Sequence, residues 1–296
     1  MTTWRLFRLG CLLAASPELA CAAGAQPLPE GVVEIPSREP TEISGVAAVP
    51  GGYAVVGDDA GNHGRIWPGG GRFTIRPKLK GPEAIDVVLL PDGEEVWLIL
   101  DEDDRRLIDL QGGDLKLPIE LAEVCGRGLE GLAARWKDGQ VEVAALWEGG
   151  FYNPNARPRK ACRRKKGELA LPVVALFAWK PGAGAAGPLE LFTLVPPDPG
   201  DDERFRASGL VWDGDRLLVL LRSTNAADDR FSHTWLQRFD LEGEPTGSPL
   251  ELDEIWGAYS AGKNWEALDW TLDGAQLVMG YDKLGPSELV VFALPK

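Results

Sequence analysis

Short apolar runs separated by turn residues fill most of the chain, and their order repeats five times. Each unit opens with a polar residue, then a very small residue, then an aliphatic one. The five openings are EISGVA (42–47), PEAIDV (82–87), GLEGLA (128–133), ASGLVW (207–212) and WEALDW (265–270). A turn and a second apolar run follow each opening, as PDG and VWLIL do in the second unit. Short apolar runs bounded by Gly, Pro and Asp are typical of β-strands.

A third run and a weaker fourth run complete the first four units, whereas the chain ends after the third run of the last unit. The missing fourth strand is available near the start of the chain, in GVVEIPS (31–37). Repeated units of four short strands predict a β-propeller. We therefore predict an all-β fold with five blades, closed by the N-terminal strand. A wide spacing between units three and four indicates an insertion at about 149–170. An insertion of this size could contain a sixth blade, so a six-bladed propeller is one alternative fold. An all-β sandwich is the other.

The residue after the polar one is always tiny. It is Gly45, Ala84, Gly131, Gly209 and Ala267 in the five units. The first strand of a propeller blade lines the central channel, where the blades converge. A small side chain there indicates close approach between neighbouring strands, and the aliphatic residue that follows is predicted to pack between blades.

Polar residues are predicted to converge at one mouth of this channel. The second strand of a blade runs back along the first, so a residue that opens strand one and a residue that closes strand two lie at the same end. The predicted pairs are Ser44/Asp59, Glu83/Glu102, Glu130/Glu148, Ser208/Ser223 and Glu266/Asp282. The ends and following loops of the second strands add Arg222, Arg230, His63 and His233. We predict that these last four residues bind substrate.

Seven carboxylates are predicted to surround this mouth. They are Asp59, Glu83, Glu102, Glu130, Glu148, Glu266 and Asp282. Like charges held this close must be screened, partly protonated or bridged by a cation. Oxygen-rich sites suit calcium, which is the cofactor that we expect these residues to bind. The alternative is that each glutamate accepts hydrogen bonds from a neighbouring blade and holds the ring in register.

The N-terminus reads as a secretory signal peptide. Arg5 and Arg8 precede the apolar run LGCLLAA, and Ala23 and Ala25 form an A-x-A cleavage site. We expect residues 1–25 to be removed, which leaves 26–296 as one propeller domain in the periplasm or outside the cell.

A formal net charge of −14 argues against a nucleic-acid partner. No later stretch approaches the roughly 20 apolar residues of a membrane span, and we expect a monomer.

The insertion carries a strongly basic segment, RPRKACRRKK (157–166), within an acidic protein. It is either a solvated loop or a flap that attracts a phosphorylated or other anionic small molecule. Export leaves Cys125 and Cys162 as the remaining cysteines, an even number in an oxidising compartment. Both are predicted to lie at the channel mouth, so a disulfide between them would tether the flap.

The stretches GLEGLAARWKDGQVEVAALWEGG, EISGVAAVPGGYAVVGDD and NWEALDWTLDGAQLVMGYD resemble the phytase-like propeller proteins, the family with the "esterase-like activity of phytase" domain. The SdiA-regulated type of propeller is similar. The resemblance spans about 40–296 and implies calcium-dependent hydrolysis of a phosphate ester by the seven carboxylates. Ser44 and Ser208 depart from the family pattern where an acid is expected, as do Arg222 and Ser223 at a strand end. A non-catalytic propeller that binds a ligand or a protein is the alternative function.

Several catalytic motifs are missing from the sequence. It has no G-x-S-x-G nucleophile elbow, no H-E-x-x-H zinc motif and no P-loop. With two histidines in the whole chain, hydrolysis is expected to rest on carboxylates, a metal-bound water and basic clamps.

Overall fold

The computed structural model describes residues 28–36, 43–57, 63–68, 71–76, 78–102, 104–117, 128–151, 169–195, 203–225, 231–260, 262–282 and 288–295. These residues form five four-stranded antiparallel sheets and one two-stranded sheet. The prediction of five blades is therefore confirmed, and the alternatives of six blades and of a sandwich are wrong.

Each blade is a meander in which consecutive strands are neighbours, because tight turns join antiparallel strands. Blade one comprises β2 (Gly45–Val49), β3 (Gly52–Val56), β4 (His63–Trp67) and β5 (Gly71–Thr74). Blade two comprises β6 (Pro82–Leu89), β7 (Glu95–Asp101), β8 (Arg106–Asp109) and β9 (Asp114–Lys116). Blade three comprises β10 (Leu129–Lys137), β11 (Gln140–Trp147), β14 (Val173–Lys180) and β15 (Gly184–Thr193). Blade four comprises β16 (Glu203–Asp213), β17 (Arg216–Asn225), β18 (Phe231–Phe239) and β19 (Pro245–Glu251).

Blade five is completed by the N-terminal strand. It comprises β20 (Asn264–Trp270), β21 (Leu277–Asp282), β22 (Glu288–Phe292) and β1 (Val33–Pro36). Strand β1 pairs antiparallel with β22, with Val33 opposite Val291 and Pro36 opposite Glu288. The two ends of the chain thus share one sheet, as the sequence predicts, and their hydrogen bonds close the ring.

The first and last residues of the insertion in blade three pair with each other as two short strands. Strands β12 (Gly150–Phe151) and β13 (Leu169–Ala170) pair with each other between β11 and β14. The basic segment 157–166 lies outside the described residues. A five-residue helix, α1 (Leu252–Trp256), and a single 3-10 turn (Gly257–Tyr259) connect blades four and five. None of the helices in the described part of the chain is long and apolar enough to cross a membrane.

The hydrophobic core is divided among the blade interfaces. Five clusters of buried side chains occur, and each joins two blades that are neighbours in the ring. The aliphatic residue of each repeat lies in a different cluster; these residues are Val46, Ile85, Leu132, Leu210 and Leu268. The prediction that this column packs between blades is confirmed, and burial of apolar area at these interfaces holds the ring together.

The tiny residue of each repeat marks the closest approach between inner strands. A Cβ built on Gly45 would lie 2.7 Å from the backbone nitrogen of Ile85 in the next blade. One built on Gly209 would lie 3.0 Å from the carbonyl oxygen of Glu266. Because these neighbours are backbone atoms of adjacent blades, no side chain fits between them without displacing a strand.

Candidate functional site

A β-bulge sets the position of the polar residue in each of blades two to five. The register between the two inner strands shifts at Glu83, Glu130, Ser208 and Glu266. A bulge places two residues of one strand opposite one residue of its partner, which re-aims the extra side chain and is common at barrel rims and active sites. In blade one, Ser44 lies just before β2, and its backbone N–H donates to the oxygen of Val56 at 3.1 Å.

Four blades contribute charged side chains to a cluster around Glu130, which we call the mouth cluster. It consists of Glu102, Glu130, Glu148, Arg222 and Glu266. Glu148 closes the second strand of the same blade as Glu130 and is fully buried. The predicted pairing of these two residues at one end of blade three agrees with the register, in which Leu129 lies opposite Trp147.

Glu102 reaches the mouth cluster from blade two by lying against Gly128. A Cβ on Gly128 would overlap Cγ, Cδ and Oε1 of Glu102. The missing side chain at position 128 therefore leaves the space that Glu102 occupies beside the start of β10. Glu102 is partly exposed, whereas Glu130 retains 7 % of its accessible surface and Glu148 none.

Arg222 is the basic member of the mouth cluster and is 1 % exposed. Its Nη1 lies 3.2 Å from Oε1 of Glu266. The same oxygen accepts a hydrogen bond of 2.6 Å from Nδ2 of Asn264. Glu266 is thus held by a cation and an amide, and this favours an internal role for Arg222 over contact with an external phosphate.

The environment of Glu130 favours its protonated form. Burial is the largest cause and raises the pKa of Glu130 well above its usual value. The nearby negative charges of Glu148, Glu266 and Glu102 raise this pKa further, and the positive charge of Arg222 opposes them. Its surroundings therefore hold the pKa of Glu130 well above the usual value of a glutamate, and carboxyl groups with raised pKa values occur in acid–base active sites.

The remaining polar positions of the inner strands are buried. Glu83, at the bulge of blade two, is 5 % exposed, and Ser44 is 3 % exposed. Ser208, which stands where other blades carry an acid, donates a 2.9 Å hydrogen bond from Oγ to the carbonyl oxygen of Trp265. In blade four this position therefore ties one blade to the next, as the alternative for the glutamates proposes.

The two histidines lie on third strands, and His233 lies opposite Ser223, the neighbour of Arg222 in β17. His63 begins β4 and is exposed. His233 in β18 is half exposed, with Nδ1 4.0 Å from Oδ2 of Asp253. Their predicted role in substrate binding stays a prediction.

Several predicted site residues lie outside the described residues. They are Asp59, Arg230, Cys125 and Cys162, together with the side chain of Asp282. The predicted disulfide and the phosphate-binding role of Arg230 therefore stay predictions.

Calcium binding at the mouth stays a prediction, because Asp59 and the side chain of Asp282 lie outside the described residues. Among the described residues, no group of three or more His, Cys, Asp or Glu side chains is arranged to hold a metal. Within the mouth cluster the positive charge comes from the guanidinium of Arg222, which pairs with Glu266. Calcium thus stays a proposal that depends on Asp59 and Asp282.

Three polar residues of the channel were not predicted from the sequence. Asn264 holds Glu266, and Asp86 and Asp269 lie deeper between the inner strands. The repeated E-A-I-D (83–86) and E-A-L-D (266–269) place an aspartate at the same offset in units two and five. This shared pattern was the available signal for the aspartates.

The fold and the site together define a five-bladed β-propeller with a buried acidic cluster at one mouth of its channel. No known protein-family profile matches the chain, and no curated protein matches it. Solved structures do match across most of the chain.

Among these structures is a virginiamycin B lyase from Staphylococcus aureus, 11% identical with a TM-score of 0.41, covering 89% of this chain and 99% of that one. A gluconolactonase from Xanthomonas campestris is 13% identical with a TM-score of 0.41, over 90% and 91% of the two chains. An arabinanase from Bacillus subtilis is 13% identical with a TM-score of 0.45, over 88% and 96%. At these identities and scores, the activities named for these proteins carry no argument about this chain.

Proposed function

We propose that this chain is an exported, phytase-like propeller that hydrolyses a small anionic ester, of the phosphoric-ester class, at its channel mouth. The observation that carries the proposal is buried Glu130, whose surroundings raise its pKa, beside partly exposed Glu102. A carboxyl group with a raised pKa is suited to be a general acid, and a carboxyl group beside it that solvent can reach is suited to be a general base.

The chemistry assigns one step to each carboxyl group. Glu102 takes a proton from water, and the water oxygen attacks the phosphorus atom of the ester. Glu130 gives its proton to the leaving alkoxide as the ester bond breaks, so an alcohol and an acid are released. Glu102 suits the role of base better than Glu148, because the base must reach water and Glu148 is fully buried.

Glu266, Arg222 and Asn264 support this pair without reacting. The guanidinium and the amide hold Glu266, and Arg222 limits how far the pKa of Glu130 rises. The substrate anion would approach from the basic segment 157–166 and Arg230. If calcium binds, Glu266, Asp59 and Asp282 would hold it. The charge of the ion would then stabilise the anionic ester.

A non-catalytic, ligand-binding propeller is the second candidate. The complete burial of Glu148 and the buried ion pair of Arg222 with Glu266 favour it, since buried polar networks also hold elements in register. In that case the mouth cluster ties blades together, and the ligand binds above it.

Hydrolysis of an ester panel separates the two candidates. The panel comprises chromogenic phosphomonoesters, phosphodiesters and carboxylic esters, each with and without calcium. We expect turnover of at least one phosphoric ester, and a loss of about 100-fold or more in Glu130→Gln. The matched control is Glu142→Gln, because Glu142 pairs with Arg135 at 2.5 Å near the other end of blade three. Absence of turnover on the whole panel would contradict the enzyme, as would full activity of Glu130→Gln.

A further inference from the structure

Three aromatic rings surround the amino group of Lys263, which lies directly before β20. Its Nζ is 3.4 Å from the ring centroid of Tyr259, 4.8 Å from that of Tyr281 and 5.3 Å from that of Trp265. A cation within about 6 Å of a ring centroid is attracted by the electron-rich face of the ring. Lys263 makes three such contacts at once, and we call these three rings the aromatic cage.

The aromatic cage is built by two neighbouring strands of blade five and by the connector before them. Trp265 in β20 lies opposite Tyr281 in β21, and their ring centroids are 5.5 Å apart. Tyr259 belongs to the 3-10 turn, and its ring lies 6.4 Å from that of Trp265. Trp265 is fully buried and Tyr259 is 6 % exposed, whereas Tyr281 is partly exposed. The aromatic cage is therefore fixed on its inner side and open to solvent beside Tyr281.

Acidic side chains border the aromatic cage on the side of the outer strands. Oε2 of Glu288 in β22 lies 3.8 Å from Nζ of Lys263. Glu34 in β1 lies opposite Val290, two positions along β22 from Glu288, so the two glutamates lie on the same face of blade five. Ring faces and carboxylates both attract a positive charge, and here they surround the same point.

The resident amino group reaches the aromatic cage on a flexible stem. The backbone N–H of Lys263 donates to the oxygen of Ser260 at 3.1 Å, in the turn that precedes β20. The side chain is 17 % exposed, and a lysine stem has four rotatable bonds. Rotation about these bonds moves Nζ out of the aromatic cage without any change in β20 or β21.

We propose that the aromatic cage is a binding site for a quaternary ammonium ligand, and that Lys263 occupies it while the ligand is absent. The amino group of Lys263 shows that the site holds a positive charge among the three rings. A quaternary ammonium group is favoured as the external ligand because its methyl groups pack against ring faces, whereas a lysine ammonium is strongly hydrated in water. The proposal does not depend on the proposed hydrolase.

A second cation in the described part of the chain provides a matched control. The guanidinium of Arg135 lies 3.7 Å from the ring centroid of Trp212, at the other end of the blades, and pairs with Glu142. It contacts a ring and a carboxylate, as Lys263 does, but at Trp212 no cage of three rings surrounds it. Removal of Arg135 should therefore create no site for a quaternary ammonium ion.

Titration with tetramethylammonium chloride, with sodium chloride keeping the ionic strength constant, tests the proposal. Binding is measured by saturation transfer from the protein to the methyl protons of the probe. We expect saturable binding by the wild-type chain and about tenfold tighter binding by Lys263→Ala, because the competing internal cation is gone. Tyr281→Leu should weaken binding about tenfold, and Arg135→Ala should leave it unchanged. The neutral tert-butanol, which is similar in size, should not bind.

Three results would overturn the proposal. They are the absence of saturable binding to the wild-type chain, equal affinities of Lys263→Ala and wild type, and equal binding of tert-butanol, which would show an apolar pocket alone. If Lys263→Ala does not fold, Lys263→Met takes its place, since methionine keeps an unbranched stem without the charge. It should also bind the probe more tightly than wild type, because a thioether competes for the ring faces less than an ammonium does. An unchanged affinity in that variant would likewise overturn the proposal.

Discussion

Replacement of Gly45 by alanine probes the closest contact between inner strands. The new Cβ would lie 2.7 Å from the nitrogen of Ile85, 2.8 Å from Cα of Ala84 and 2.9 Å from Cγ2 of Val56. Two of these three atoms belong to the backbone of the next blade and cannot rotate away. Overpacking of this kind costs about 1–3 kcal/mol. We therefore expect Gly45→Ala to lower the free energy of unfolding by that amount.

Gly71→Ala is the matched control within the same blade. Its Cβ would lie 3.6 Å from Cβ of Ile66, an ordinary contact, and the backbone there does not require glycine. Because alanine loses less backbone entropy than glycine on folding, we expect a gain of about 0.5 kcal/mol. Urea unfolding, reported by the fluorescence of the tryptophans in the blades, measures both variants. Equal stability of the two variants would refute the argument that the tiny column is imposed by contact between blades.

Three further predictions follow from the mouth and from the ring closure. Arg222→Met should cost about 3 kcal/mol and raise the pKa of Glu130, because it removes one partner of a buried ion pair. Arg238→Met, at a pair with Asp213 that is partly exposed, should cost less than about 1 kcal/mol in the same unfolding assay. Gly128→Ala should displace Glu102 and so lower the pKa of Glu130, measured by carbon titration; an unchanged pKa would place Glu102 outside the cluster. A chain that starts at residue 37 should lose cooperative unfolding, since β1 closes blade five, whereas one that starts at 28 should keep it.

The fold was predictable because the repeat encodes both periodicity and crowding. The tiny column at Gly45 and Gly209 marks the channel, and the unit that lacks a fourth strand requires one from the N-terminus. These features depend on the local residue pattern and on the geometry of a closed ring, and both can be inferred from a single sequence.

The site was predictable at the level of position and not at the level of contacts. Pairing Glu130 with Glu148 needed only the return of strand two along strand one. The placement of Glu102 against Gly128 depends on a contact between blades, which no spacing along the chain reveals. Asp86 and Asp269 were missed because an acid inside a core strand has no evident role in the sequence alone. Their role depends on backbone N–H groups of the next blade, which the sequence does not show.

The central claim is that its surroundings raise the pKa of Glu130 well above the usual value, and one titration tests it most directly. Glutamate carboxyl carbons are labelled, their resonances are followed from pH 3 to 9, and the signal of Glu130 is identified by its loss in Glu130→Gln. We expect this carboxyl group to titrate at a clearly higher pH than the exposed glutamates, because burial and three neighbouring carboxyl groups oppose its ionisation. Titration of Glu130 together with the exposed glutamates, near pH 4 to 5, would contradict it.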